Sequence, residues 1–389
     1  MRINNPSKEQ LRQYFHNLDA HIVSLPGSTG EPFWIKYLDL GVKVVRLINY
    51  SPEFTPHVEK QLTYILKDVT PIKVEQNSNA VHFDATLVIW KEPDMAAIPA
   101  KLSDELNPKK NLRLRIDELV RGKKKTPSLR IFNGVKNVFS SNPENGILSA
   151  YNSENNTYYY AAENLEPEEF IKQGHLLVRI LNKITKTPST GLVHGAAVGI
   201  NNKGILICAR GQRGKSTLAV LAMMQGFEYV SDDYLTLEKT DDGLFAHPIY
   251  SIITLSPRMY NELYDDLNGK FVSNNSRKDK YVINVEPYHD TFRERYPISV
   301  CLFPEIVSDL EPSIVLCNNR EKGRAIVQLV HSTIIQTGDR NDIRTVKKLL
   351  DFVKDFEFYR LNLSANIHAN VRVLGDFIQQ YEKQEGKQK

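Results

Sequence analysis

At 389 residues, 41% hydrophobic and 25% charged, the chain is too long for one small domain and too apolar to be disordered throughout; two domains, or three, with a sizeable core are expected. Its 50 basic and 46 acidic residues leave a formal net charge of +4, too weak to call for a nucleic-acid or membrane partner. No apolar run approaches the ~20 residues of a membrane-spanning helix.

The opening stretch, MRINNPSKEQLRQYF, is polar and lacks the apolar core of a signal segment. Cys208, Cys301 and Cys317 all lie in apolar runs without metal-ligand spacing. Reduced, buried thiols and a cytoplasmic location are the expectation. A helix is expected from Glu9 to Val23, with Leu11, Phe15 and Leu18 at helical spacing. Gly27 to Glu31 reads as a loop. Lys43–Tyr50 (KVVRLINY) and Val81–Trp90 (VHFDATLVIW) alternate apolar and polar residues as strands do, with a helix between them at 56–66. These elements make an N-terminal α+β domain, residues 1–140, in which no motif assigns a role.

Residues 109–130 (KKNLRLRIDELVRGKKKTPSLR) concentrate basic side chains. Such a cluster suits a phosphate backbone or an acidic peptide, but Asp117 and Glu118 dilute it and a solvated surface is the plainer reading. Residues 146–162 form a hairpin turning at Ser153–Asn156, with Tyr158, Tyr159 and Tyr160 as a sheet face. A helix starting at Glu166-Pro167 carries Ile171, Leu177, Ile180, Leu181 and Ile184 on one face and closes at Pro188.

The densest information lies between Gly191 and Glu238: GLVHGAAVGINNKGILICARGQRGKSTLAVLAMMQGFEYVSDDYLTLE. Gly204–Cys208 is a short apolar run, as a buried strand should be. It leads into ARGQRGKST, which matches the phosphate-binding pattern G-x-x-x-x-G-K-[ST] at Gly214, Lys215 and Ser216, with Ala209 at the first glycine position. A triphosphate tail needs many N–H donors, no obstructing side chains and a cation. Gly211 and Gly214 let the backbone curl into an anion nest, and the following helix adds its positive end. The expected ATP-binding residues are Gly211, Gln212, Arg213, Gly214, Lys215, Ser216 and Thr217, with Lys215 on the outer phosphates and the Ser216 hydroxyl on Mg²⁺. Leu218, Leu221 and Ala222 share a helical face, Gly226 is a natural C-cap, and 227–230 reads as the next strand.

That strand ends in Asp232-Asp233. Adjacent residues on a strand point to opposite sides, so one carboxylate is expected to face the metal and the other an incoming hydroxyl. The alternative is a plain Asp-rich turn. His194, in an apolar strand upstream, reads either as a satisfied core group or as part of this site.

Downstream, 239–243 reads as a turn, 247–255 as a strand and 257–267 as a helix. Residues 268–280, rich in Asn, Ser and charge, read as a long mobile loop. Lys280, Arg277 and Arg258 are candidates for contacting substrate or the γ-phosphate, with Arg324 a weaker one; ordinary surface charge is the alternative. Strands at 297–303, 312–316 and 358–363 alternate with helices at 320–335, 341–356 and 365–381, and a disordered tail is expected at 382–389.

The order HGxxV, strand, GKST loop, helix closed by glycine, strand ending in DD resembles the catalytic domain of HPr kinase/phosphorylase and the wider group of HPr kinase-like serine kinases, which share a P-loop core with phosphoenolpyruvate carboxykinase. The resemblance is firm over about 50 residues and weak out to about residue 365. It implies an α/β (mixed α+β) fold with the catalytic domain over 141–381. It also implies ATP and Mg²⁺ as cofactors and a serine acceptor, in a peptide, in a protein or as the free amino acid. Carried over, Lys215 holds the phosphates, Ser216 and Asp232 serve the metal, Asp233 takes the hydroxyl proton, and His194 is an accessory. The glycine-rich signature that the family links to reverse phosphorolysis is missing, which implies a divergent, one-directional kinase whose target is not HPr. The family includes oligomers, which leaves a homo-oligomer open. Two other readings stand beside the kinase: a P-loop ATPase or GTPase driving a conformational change, and a nucleotide-sensing regulatory or nucleic-acid-binding protein.

Overall fold

In the computed structural model the described residues are 8–25, 30–68, 82–93, 129–131, 138–142, 147–163, 165, 175–209, 213–263, 273–277, 280–307, 311–337 and 343–388. They form an α/β structure whose chain divides into two compact units. The first comprises Met1–Leu38, Val44–Val58 and Lys67–Gln173; the second comprises Asp39–Lys43, Glu59–Leu66 and Gly174–Lys389. Position 140, the division expected from sequence, falls inside the first unit. Most of the basic stretch lies outside the described residues.

The elements up to residue 162 are α1 (Lys8–Val23), β1 (Trp34–Asp39), β2 (Val44–Asn49), α2 (Thr55–Leu62), β3 (Leu66–Asp68), β4 (Ala85–Lys91), β5 (Leu129–Ile131), β6 (Val138–Asn142), β7 (Ile147–Asn152) and β8 (Thr157–Ala162). Their strands make one sheet in the order β3-β1-β2-β4-β8-β7-β6-β5. Strand β4 runs parallel to both β2 and β8. Its run Leu87-Val88-Ile89-Trp90 is buried throughout, because a central strand in parallel pairing is covered on both faces. On one face, Val88, Trp90, Tyr159 and Ala161 meet Tyr14, Phe15, Leu18 and Ile22 of α1. The tyrosine run of β8 divides between the two faces: Tyr159 stacks on Phe15 at 5.6 Å between ring centroids, while Tyr158 and Tyr160 pack on the other side against Tyr151 and Phe54.

The second unit continues with α3 (Val178–Thr185), β9 (Thr190–His194), β10 (Ala196–Ile200), β11 (Lys203–Ile207), α4 (Lys215–Met224), β12 (Glu228–Ser231), β13 (Tyr234–Thr240), β14 (Gly243–Pro248), β15 (Ile252–Leu255) and α5 (Pro257–Glu262). Then come β16 (Ser273–Arg277), β17 (Lys280–Asn284), β18 (Tyr296–Ile306), β19 (Ser313–Leu316), α6 (Asn319–Thr337), α7 (Ile343–Val353), β20 (Phe358–Leu363) and α8 (Ile367–Gln388). The main sheet runs β12-β10-β11-β18-β14-β13-β9, with β20 beside the second half of β18 and β19 beside β20. Alternation sorts its side chains between two cores. Val198, Ile205, Ile207 and Leu302 pack with Leu218 and Leu221 of α4 and Leu374 of α8. Ala197, Leu206, Cys208 and Cys301 pack on the other side with Leu329 of α6 and Phe352 of α7. Helices on both faces explain why 204–208 reads as an unbroken apolar run. Among the described residues no helix is long and apolar enough to cross a membrane.

Several expectations change. Part of the expected mobile loop is a hairpin: β16 pairs with β17, and β17 with β15, in a three-stranded antiparallel sheet. The sequence Ser-Asn-Asn-Ser-Arg carries no apolar alternation, so its pairing rests on main-chain hydrogen bonds that composition does not reveal. The expected strand at 247–255 is two strands in different sheets, broken after Pro248, which has no N–H to extend a ladder. The expected disordered tail continues α8 to Gln388, since its Glu, Lys and Gln residues are good helix formers.

One close approach is decisive for the main sheet. A Cβ at Gly204 would lie 2.1 Å from the Pro297 carbonyl oxygen, where the β11–β18 register shifts. Gly204→Ala is expected to cost about 3 kcal/mol, read as a fall in the denaturant midpoint. Gly323→Ala, in α6 with nothing within 4 Å of the added carbon, is expected to gain up to about 1 kcal/mol instead.

Candidate active site

Strands β11, β18 and β20 are mutually parallel, so their C-terminal ends share one edge, where α/β sheets bind ligands. Beyond β11 the chain passes Cys208 and Ala209; Arg210, Gly211 and Gln212 lie outside the described residues. Arg213 is exposed. Gly214 has φ +86° and caps α4, its carbonyl accepting from the Leu218 N–H at 2.8 Å. The left-handed backbone requires glycine here, and a Cβ would also lie 2.7 Å from the Leu363 side chain at the end of β20 and displace it. Ser216 and Thr217 follow in the first helical turn, both half-buried.

Lys215 is 6% exposed and does not reach solvent. Its ammonium bonds to Oδ1 of Asp232 and, at 2.7 Å, to Oδ1 of Asp233. The aspartates therefore do not point to opposite sides, as strand alternation predicts. Strand β12 stops at Ser231, and Asp233 takes a left-handed conformation, φ +62°. The Tyr234 N–H closes the turn onto the Asp232 carbonyl at 2.8 Å, and the Gly195 N–H holds the Asp233 carbonyl at 3.1 Å. This turn swings both carboxylates onto one lysine.

Asp233 is surrounded. Its Oδ2 accepts from the Thr254 hydroxyl at 3.0 Å, and His175 Nε2 stands 3.9 Å from the same oxygen. His194 Nε2 lies 3.7 Å from Oδ1. His194 ends β9, opposite Tyr234 of β13, and its main-chain N–H donates to the Thr333 hydroxyl of α6 at 2.9 Å. The Tyr234 ring meets both imidazoles edge-on, with centroids 5.1 Å from His175 and 5.4 Å from His194. Tyr250 packs on His175 at 4.5 Å and is anchored by its hydroxyl on the Leu176 carbonyl.

The electrostatics follow from burial and pairing. Burial pushes the Asp233 carboxyl up, but Lys215 and the two histidines outweigh it and hold the group well below the ordinary carboxylate range. Burial pulls the Lys215 ammonium down, and the two aspartates reverse this and raise it. One buried ammonium faces two carboxylates, and Asp232 Oδ2 is buried without a hydrogen-bond partner. Among the described residues no group of three or more His, Cys, Asp or Glu side chains is arranged to hold a metal by itself.

Lys215, Asp232, Asp233 and His194 thus meet in one cluster. Arg258 does not join them: it is exposed on α5 beside Glu262 of the same helix, 3.9 Å away. Arg324 lies 3.6 Å from Glu305. Arg277 and Lys280 are paired positions in the register of β16 and β17. Sequence reading missed His175 and Thr254. His175 lies outside any motif; Thr254 left one faint signal, a hydroxyl in the buried strand Ile-Ile-Thr-Leu.

The depressed Asp233 stabilises the fold above the ordinary carboxylate range near ~4, and this is lost as pH falls through its folded value; the raised Lys215 stabilises below ~10.4, and this is lost as pH rises through its folded value. Lys215→Met should therefore cost about 3–5 kcal/mol at neutral pH, by stranding two buried carboxylates. The deficit should shrink near pH ~4, where the stranded aspartates take up protons. Denaturant titrations at both pH values check this, and a pH-independent deficit would assign Lys215 to packing alone.

No family model matches the chain, and no curated protein matches it. Among solved structures it is similar to the HPr(Ser) kinase/phosphatase from Coxiella burnetii, at 12% identity and a TM-score of 0.29, over 49% of this chain and 98% of that one. A likeness of that degree carries no argument about activity.

Proposed function

We propose that the second unit is an ATP-dependent phosphotransferase that moves the γ-phosphate to a hydroxyl group. The carrying observation is the Lys215 ammonium, at the first residue of a helix entered through a left-handed glycine, held against two buried carboxylates at the end of a neighbouring strand. Structural ion pairs of this burial are uncommon, and a cation, a helix N-terminus and a shielded carboxylate are the parts phosphoryl transfer uses.

In this reading the segment 209–214 and the first amides of α4 bind the phosphates, and Lys215 offsets their charge. The acceptor oxygen attacks the γ-phosphorus in line, the bond to the β,γ-bridging oxygen breaks with its electrons leaving on ADP, and Asp233 takes the hydroxyl proton. His194, His175 and Thr254 fix the Asp233 carboxylate. The unpartnered Oδ2 of Asp232 and the Ser216 hydroxyl suit Mg²⁺, which keeps one or two protein ligands beside phosphate oxygens and so needs no larger cluster. When bound, Mg²⁺ supplies charge neutralisation at the phosphates. A serine acceptor, in a peptide, a protein or free, follows the HPr kinase-like motif order. A cytoplasmic location belongs to the same reading and suits three free cysteines.

The test is transfer from γ-labelled ATP with Mg²⁺ to free serine, a peptide library and extract from cells lacking the gene. Label on a hydroxyl acceptor is expected, abolished by Lys215→Ala and with kcat lowered about 10²–10⁴-fold by Asp233→Asn. Free phosphate as the sole product would identify a hydrolase instead. Absence of nucleotide binding would end the P-loop reading.

A further inference from the structure

The geometry points to Lys215 as a lock on Asp233: without nucleotide its ammonium is bonded to Asp233 Oδ1, and a bound triphosphate draws it off. This inference rests on the phosphotransfer reading. It turns on the different surroundings of the two Asp233 oxygens. Oδ2 receives the Thr254 hydroxyl at 3.0 Å and faces His175 at 3.9 Å. Oδ1 receives the Lys215 ammonium at 2.7 Å, with His194 beyond at 3.7 Å. Take Lys215 away and Oδ1 loses its shortest hydrogen bond. Keep Lys215 there and the carboxylate is saturated by a cation, a poor base however close an acceptor comes.

The lysine is held by more than Asp233. Asp232 Oδ1 bonds the same ammonium, and the whole group is buried. In such surroundings the pairing is strong, and only a competing anion of comparable charge can break it. A triphosphate seated at the start of α4 is such an anion, and Lys215 is the residue positioned to serve it. The ammonium has three N–H donors, two of them given to the aspartates, so seating it fully among the outer phosphates draws on those two bonds. Nucleotide affinity is therefore set by competition with the aspartates, and the base becomes available when the donor is in place.

The competition is measurable by a double-mutant cycle. Calorimetry with a non-hydrolysable imido analogue of ATP, in EDTA, would compare the full-length wild type, Asp233→Asn, Lys215→Ala and the double variant. Removing a carboxylate lessens repulsion of the phosphates in either background; releasing the lysine matters only where Lys215 is present. Asp233→Asn is expected to tighten binding about tenfold in the wild-type background and no more than about twofold in Lys215→Ala. Equal tightening in both backgrounds would overturn the lock. If Lys215→Ala binds too weakly to titrate, a crystal structure of the wild type with the analogue decides. The ammonium is expected on the phosphates and clear of Oδ1; an ammonium still bonded to Oδ1 would overturn the proposal. A wild type that does not bind the analogue would instead fell the nucleotide reading itself.

Discussion

A single ammonium shared between two buried carboxylates governs the architecture around residue 215. Taking either partner out of water alone is costly, so each of the three groups depends on the others being delivered to the same point. Four strands achieve this. Strand β11 launches the loop that leads to Lys215, β12 ends early enough for Asp232 and Asp233 to turn, and β9 with β15 brings His194 and Thr254 to close around them. The sheet order follows from the same need, because β12 and β11 both flank β10, and β9 pairs with β13 directly after the turn.

Rigidity in this region comes from backbone detail more than from charge. The left-handed Asp233 is held by main-chain bonds on both sides, and the left-handed Gly214 is hemmed in by Leu363. A carboxylate on a strained turn has few alternative positions. The ammonium, on a flexible four-carbon stem, has many. Movement within the cluster is thereby assigned to the lysine.

Much of this was legible in the sequence, and the reasons differ by element. The strand before the loop, the glycine-capped helix and the next strand were readable because each has a local signature: an apolar run, helical spacing and a positive-φ glycine at Gly226. Lys215 and the aspartate pair were visible as residues, yet their convergence was not. Alternation on a strand predicts divergence, and nothing in Ser-Asp-Asp-Tyr announces that the strand stops at Ser231 or that Asp233 adopts a left-handed conformation. His175 and Thr254 reach Asp233 from 58 residues before and 21 residues after it, a convergence that only the tertiary fold supplies. The β16–β17 hairpin escaped for the opposite reason, since its pairing is carried by main-chain groups that every residue has.

The bond from the His194 N–H to the Thr333 hydroxyl has a meaning for the sheet as a whole. Strand β9 is the last strand of the main sheet, and helices α3, α6 and α7 lie against it. A terminal strand normally offers a row of unsatisfied amides and carbonyls that invites a neighbouring chain to add itself. Here a helical side chain takes up one of those amides at the histidine itself. At His194 the β9 border of the sheet is thus closed from within the chain, and a strand adding itself there would have to displace the Thr333 hydroxyl.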